Sequence, residues 1–277
     1  MKNVKSLFEI FKSSISFLTI LPVKSDVSTM EDFKKIVLFF PLTAFFLGTY
    51  YYMCSYIIYL ISGSIFFTAI IYTSLTVILT GGLHYDGLSD SIDGLFCGKD
   101  KDKMLEVMSD SRIGTFGVLA IVLNIMLKTG IIYLFIQEDI LPFAIFSVIF
   151  SRTMQVMFAY SCKYAKEDGM GNIFIGKIDK KQFSFVICSF FILSFAVAVV
   201  FSMSNLILRE LVLRYFIIST ILSVLVLLRM KKSIEQKIGG ITGDILGLVA
   251  EVSETTFLYM TYISIKLVNY IIYKFVY

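Results

Sequence analysis

The chain of 277 residues is 57% apolar and only 17% charged, with a mean hydropathy of +0.82. Soluble domains average about 45–50% apolar and about 25% charged, so this composition excludes an ordinary soluble domain and points to lipid. The net charge of +4 is ordinary for a membrane protein and gives no reason to expect a nucleic-acid partner.

In chain order, residues 1–35 read as a cytoplasmic or interfacial amino-terminal segment. Lys2 and Lys5 followed by the short apolar stretch 16–23 resemble a signal peptide, but Glu9 and Lys12 interrupt it and no small-residue cleavage site follows. The pattern predicts a retained amphipathic helix with Phe8, Phe11, Ile15 and Leu18 on its lipid side. A bilayer core about 30 Å thick needs about 20 apolar residues per helix. Seven runs answer, near 36–61, 64–82, 113–136, 140–161, 183–203, 206–228 and 244–273. They are continuous rather than alternating, which excludes a membrane barrel. The expected fold is an all-α integral membrane protein of about seven transmembrane helices, in one domain spanning 1–277. Of the 25 Lys and Arg, 19 fall in 1–36, 83–112, 162–182 and 229–240. By the positive-inside rule these segments are cytoplasmic in an inner-membrane protein.

The second run ends in Gly81-Gly82-Leu83-His84-Tyr85-Asp86-Gly87-Leu88-Ser89-Asp90-Ser91-Ile92-Asp93. Asp86, Asp90 and Asp93 stand at i, i+4 and i+7, within one narrow arc of a helix. Carboxylates beside lipid are expensive, and three on one face repel unless a cation lies among them. A second copy follows: Gly81-Gly82-x-x-x-Asp86-x6-Asp93 is matched by Gly239-Gly240-x-x-x-Asp244-x6-Glu251. The expectation is that each copy supplies one wall of a cytoplasmic acidic metal site built from Asp86, Asp90, Asp93, Asp244 and Glu251. Oxygen ligands with no cysteine suit Mg²⁺, with Mn²⁺ as the alternative, and substrate phosphates complete such a shell. Gly81, Gly82, Gly87, Gly239 and Gly240 would let a bulky anion or a neighbouring helix close on the backbone. The single histidine, His84, reads as general base or substrate orienter.

The third run opens with Ser109-Asp110-Ser111-Arg112-Ile113-Gly114-Thr115. Arg112, with Ser111, is either a phosphate grip at a helix beginning or an interfacial anchor, and Asp110 suits an N-cap. Arg152, inside the fourth run, needs a carboxylate or a substrate phosphate as partner. The loop 163–171 reads as a nucleotide contact or as a solvated connection, and spacing alone favours the second. Cys54, Cys97, Cys162 and Cys188 form no C-x-x-C pair and no disulfide framework.

The blocks 81–94, Asp110-Ser111-Arg112-Ile113-Gly114-Thr115-Phe116-Gly117 and Gly239-Gly240-Ile241-Thr242-Gly243-Asp244 resemble the adenosylcobinamide-GDP ribazoletransferase (cobalamin synthase) family. Weaker echoes are Phe17-Leu18-Thr19-Ile20-Leu21-Pro22 and Phe40-Pro41, while Lys166 stands where that family leads one to expect arginine. The resemblance implies an Mg²⁺-dependent membrane enzyme. It joins adenosylcobinamide-GDP to α-ribazole or its 5′-phosphate and releases GMP. His84, Asp86 and Arg112 are then catalytic, with Gly81, Gly82, Gly87, Ser111, Arg112, Arg152, Gly239, Gly240 and Thr242 around the substrates. Expected partners are those substrates and the bilayer, with homo-oligomerisation left open. A CDP-alcohol phosphotransferase is the nearest rival, but its D-x-x-D-G-x-x-A-R pattern fails at Leu83 and at Ser89-Asp90. A cation transporter is the rival of another class, although its charges belong near the bilayer midplane.

Overall fold

The computed structural model describes residues 2–26, 29–98, 100–166, 169–202 and 206–276. They form helices α1 (Lys2–Leu18), α2 (Met30–Lys34), α3 (Phe40–Ser62), α4 (Ile65–Leu79), α5 (Leu83–Phe96) and α6 (Lys101–Val107), followed by α7 (Thr115–Gln137), α8 (Phe143–Ser161), α9 (Lys180–Phe201), α10 (Leu206–Ile238) and α11 (Gly243–Val276). Among these residues, five stretches are long and apolar enough to cross a bilayer: 30–62, α7, α8, α9 and 211–238 of α10. A sixth arises if α4 and α5, bent by 86°, count as one broken span. The seventh expected run, 244–273, is α11, a 34-residue helix whose first half carries Asp244, Glu251 and Glu254. The all-α membrane fold therefore stands.

α8 is buried along almost its whole length and is flanked by α3 and α11. With lipid as solvent, hydrophobic burial gives little drive to bring helices together, so close approach rests on small residues and dispersion. Gly48 of α3 illustrates this: a Cβ there would stand 3.2 Å from the Cα of Ile145. Large apolar side chains face outward on α7 (Leu119, Leu123, Met126), α9 (Phe191, Ile192, Phe195) and α10 (Ile217, Ile221, Leu225). That belt matches the hydrocarbon region. The amino-terminal helix forms as expected, but its apolar face docks on protein. Leu18 is fully buried, and the Phe11 ring lies 5.7 Å from Phe39 and 5.9 Å from Phe46, leaving Phe8 exposed. The described cysteines are all free.

The α4–α5 bend follows from two glycines. Gly82 N–H donates to Val77 O and Gly81 N–H to Ile78 O, the six-to-one and five-to-two bonds of a Schellman stop. Both take positive φ, +61° and +73°, where a side chain is strained. A Cβ on Gly81 would also run 2.6 Å from Ile20 Cγ2. At the same end, the loop after α8 meets the loop before α11 through a parallel bridge between Tyr164 and Ile241. Ile241 N–H donates to Lys163 O and Ala165 N–H to Ile241 O, each at 2.9 Å. Lys237 adds a bond to Leu95 O at 3.0 Å. Three of the base-rich connections are thus gathered at one end of the bundle.

Candidate active site

The two glycine-acid copies meet in space. α5 and α11 cross with backbones in contact at Gly87 and Gly247: a Cβ on Gly87 would fall 2.7 Å from Asp244 O and 3.0 Å from Gly247 Cα. That crossing sets Asp244, in the first turn of α11, beside the acids in the first turns of α5. Asp90 feels the like charges of Asp86, Asp244 and Asp93, and the Lys166 charge partly offsets them. The Lys166 ammonium lies 3.4 Å from Asp244 Oδ2. Thr242 caps α11 through the Ile245 N–H at 3.3 Å and holds Asp244 Oδ2 at 3.1 Å.

Two cavities flank α5 here. One, of about 370 Å³, is lined by Asp86, Asp244, Lys166, His84 and Gln155 together with Phe17, Phe40 and Phe174. The other, of about 510 Å³, is lined by Gly81, Gly82, Asp86, Ser89, Asp90 and Ser111. Asp86 stands at the rim of both. Gly239, with φ +75°, turns the chain out of α10, and a Cβ on Gly240 would collide with the Lys163 carbonyl. These glycines therefore serve the close approach of chain to chain.

Several expected site residues are engaged elsewhere. Asp93 departs from the metal reading: its Oδ2 accepts from Gly114 N–H at 2.7 Å and its Oδ1 from Gly117 N–H at 2.9 Å. It caps α7 in place of a local side chain, where the helix dipole favours an anion. A side chain on Gly114 or Gly117 would strike the Asp93 carboxylate. Glu251 departs too. It is 2% exposed and bonds the fully buried Lys128 at 2.7 Å, while Glu254 on the same face of α11 lies 3.3 Å from that ammonium. Tyr85 adds a ring 5.5 Å from the ammonium and a hydroxyl bond to Asn124 Oδ1. Arg152 is buried near this group, donates to Ser151 Oγ at 2.9 Å and has no partner at Nε. Its charge acts on Glu254 of the same buried group. Arg112 is exposed and forked on Asp110, with contacts of 2.6 to 3.2 Å, and holds that carboxyl down at about 2. Among the described residues, its guanidinium pairs with no other acid. His84 is buried, and its Nε2 has no partner among the described residues.

Sequence reasoning noted Lys166 only as a departure from an expected arginine and missed Gln155. The loop 163–171, read as solvated, is pinned against the start of α11 and enters the cavity; its Glu167 and Asp168 lie outside the described residues. Among the described residues, no three His, Cys, Asp or Glu close into a ready-made metal cage. What the site offers is a hard, oxygen-rich rim that gathers negative charge from two distant stretches.

The chain matches the cobalamin-5-phosphate synthase family over residues 10–262. It is 36% identical to an adenosylcobinamide-GDP ribazoletransferase of Clostridioides difficile (strain 630), over 91% of this chain and 96% of that protein. A relative of the same name from Clostridium tetani (strain Massachusetts / E88) is 34% identical over 94% and 98% of the two chains. One from Alkaliphilus metalliredigens (strain QYMF) is 34% identical over 90% and 92%. No solved structure matches.

Proposed function

The chain belongs to the cobalamin-5-phosphate synthase family, and we propose that it carries out the ribazole-transfer step of cobalamin assembly at the cytoplasmic face of the inner membrane. A ribose hydroxyl of α-ribazole, or of its 5′-phosphate, attacks the cobinamide-bearing phosphorus of adenosylcobinamide-GDP. A new P–O bond forms, the bridging P–O bond of the diphosphate breaks, and GMP leaves with that electron pair. The hydroxyl proton passes to a base or to water. The observation that carries this reading is the convergence of Asp86 and Asp90 with Asp244, from stretches over 150 residues apart, beside the Lys166 ammonium. Membership of this family sets aside the phospholipid-synthesis and cation-transport rivals.

The donor set fits a hard divalent ion such as Mg²⁺. Among the described residues, three carboxylates, no thiolate and a single ammonium leave an excess of negative charge that a hard cation offsets. Sites of this type use one or two carboxylates and let water and phosphates fill the shell, so a closed protein cage is not required. Asp86, Asp90 and Asp244 are the residues that would hold it; bound there, it would neutralise charge on the diphosphate. The residues of the chain do the rest. Lys166 grips a phosphate oxygen, the Gly87–Gly247 crossing fixes the spacing of the two walls, and buried His84 orients the nucleophile. Diphosphate cleavage is chiefly positioning and charge stabilisation, so no covalent enzyme intermediate is invoked.

The test is direct. Detergent-solubilised protein given adenosylcobinamide-GDP, α-ribazole and Mg²⁺ should release GMP together with a corrinoid product carrying the ribazole. Failure to form that product with either form of the nucleoside refutes the reading.

A further inference from the structure

The 370 Å³ cavity has two chemically different walls. One presents Asp86, Asp244 and Lys166. The other, built from α1, α3 and the loop before α9, presents Phe17, Phe40 and Phe174. Those rings form a continuous aromatic group: Phe17 lies 6.0 Å from Phe40, stacked, and 5.8 Å from Phe174, edge-on. Phe33 backs the group at 5.8 Å from Phe174. Val156 and Ala159 of α8 extend the apolar lining.

We propose that this cavity is the nucleoside subsite, in which the phenylalanine wall takes the flat bicyclic base of α-ribazole and Gln155 takes a ribose hydroxyl. This deepens the transferase reading and rests on it. Size supports this. The volume lies near the lower end of the roughly 300–1,000 Å³ of small-molecule sites, room for one nucleoside and too little for a corrin macrocycle with its side chains. The large substrate then reaches only its diphosphate into the acidic rim.

Polarity chooses between the two bases available. Guanine carries an amino group, a carbonyl and a ring N–H that each need a partner when buried. A dimethylbenzimidazole has no exocyclic polar group and suits walls of phenylalanine and valine. Gln155, which is 4% exposed, supplies the polar contact. Its Nε2 donates to Leu246 O at 3.0 Å, which fixes the amide orientation because a carbonyl only accepts. Among the described residues, Oε1 is left buried and without a partner. An acceptor in that position suits a hydroxyl and repels a phosphate oxygen. A nucleoside lying between Phe174 and Gln155 points its ribose toward Asp86 and Asp244, where the transfer takes place.

The experiment measures KM for each substrate separately in the full-length, detergent-solubilised protein, for Phe174→Ala and for Ala159→Leu, which fills the floor. Direct binding of α-ribazole to wild type by equilibrium dialysis, without corrinoid, accompanies it. Loss of one stacking partner should raise the KM for α-ribazole about tenfold or more, with the KM for adenosylcobinamide-GDP within about twofold of wild type. The unchanged second KM also reports that the variants are folded. A rise confined to adenosylcobinamide-GDP would overturn the proposal in favour of a guanosine subsite, and no change in either KM for both variants would overturn it outright. Should a variant fail to fold, the same comparison is made with Phe174→Leu, and the same outcomes decide. A wild type that binds α-ribazole, and loses that binding in Ala159→Leu, yet forms no product refutes the transfer reaction and leaves the subsite standing.

Discussion

Replacing Lys128 with methionine tests whether the buried charges of α7 and α11 are structural. The ammonium is fully buried, 2.7 Å from Glu251 and 3.3 Å from Glu254, both nearly inaccessible. Methionine keeps most of the volume and removes the charge, leaving two carboxylates facing each other in an apolar interior. Removing one partner of a buried pair costs about 3–5 kcal/mol, because the other charge stays desolvated and unpaired. Two stranded acids with Arg152 nearby place the expected loss within that range rather than above it. SDS-induced unfolding in mixed micelles, followed by circular dichroism, reads the change. Lys128→Met with Glu251→Gln and Glu254→Gln should recover most of the lost stability, since neutral amides replace the charges. That triple variant should also keep its Mg²⁺ dependence, because Glu251 is spent on Lys128. A single variant as stable as wild type, or a stable triple variant whose Mg²⁺ requirement has shifted, refutes the structural assignment and returns Glu251 to the metal site.

Asp86→Asn and Asp244→Asn should each reduce turnover by about a hundredfold or more while the unfolding midpoint stays near wild type, as expected where charge stabilises a transition state; Mg²⁺ titration of GMP release checks this. Asp93→Asn should instead destabilise by about 1 kcal/mol, the usual worth of an N-cap, with the larger change in the melt rather than in kcat. Lys166→Met should lower kcat/KM by about tenfold or more, whereas Arg112→Gln, exposed and forked on Asp110, should change it by less than about threefold. Gly81→Ala should cost about 1–2 kcal/mol from φ +61° alone. The clash with Ile20 should make it worse than Gly82→Ala, whose Cβ would meet nothing within 4 Å.

The membrane fold was legible because unbroken apolar runs of helix length need no tertiary information. The acidic rim was legible because Asp86, Asp90 and Asp244 sit where carboxylates are costly. The α4–α5 bend was half legible: the Gly81-Gly82 pair was visible, but its Schellman geometry, which turns α5 by 86°, depends on local hydrogen bonds. Lys166 and Gln155 were hidden for different reasons. The loop around Lys166 looks like any charged connection until Ile241 bridges to Tyr164 and draws it against α11. Gln155 is one polar residue in an apolar helix, and its role depends on what the neighbouring helix offers. The Lys128 cluster did leave a trace: a lone lysine in one apolar run and two glutamates at i and i+3 in another are complementary charges that neither helix could bury alone.

The repeat explains why the second acids went astray. Residues seven apart share a helix face, but at 1.5 Å per residue they stand about 10.5 Å apart along the axis. A carboxylate reaches a cation at little more than 2 Å, so two acids at i and i+7 cannot ligate one ion from a straight helix. Four residues is about 6 Å, within reach of two flexible side chains around a bridged ion or phosphate. Asp86 and Asp90 therefore stay together, and Asp244 joins them from α11 because both helices begin at the same end and cross at Gly87 and Gly247. Asp93 and Glu251, one level deeper, meet whatever lies at that depth. For Asp93 that is the amino terminus of α7, and for Glu251 it is Lys128. The two copies thus differ by height: the first acid of each lines the cavity, and the second ties its helix to α7. Asp90→Asn should accordingly lower Mg²⁺-dependent turnover as far as Asp86→Asn does, with the unfolding midpoint near wild type, even though Asp93 stays on the same helical face.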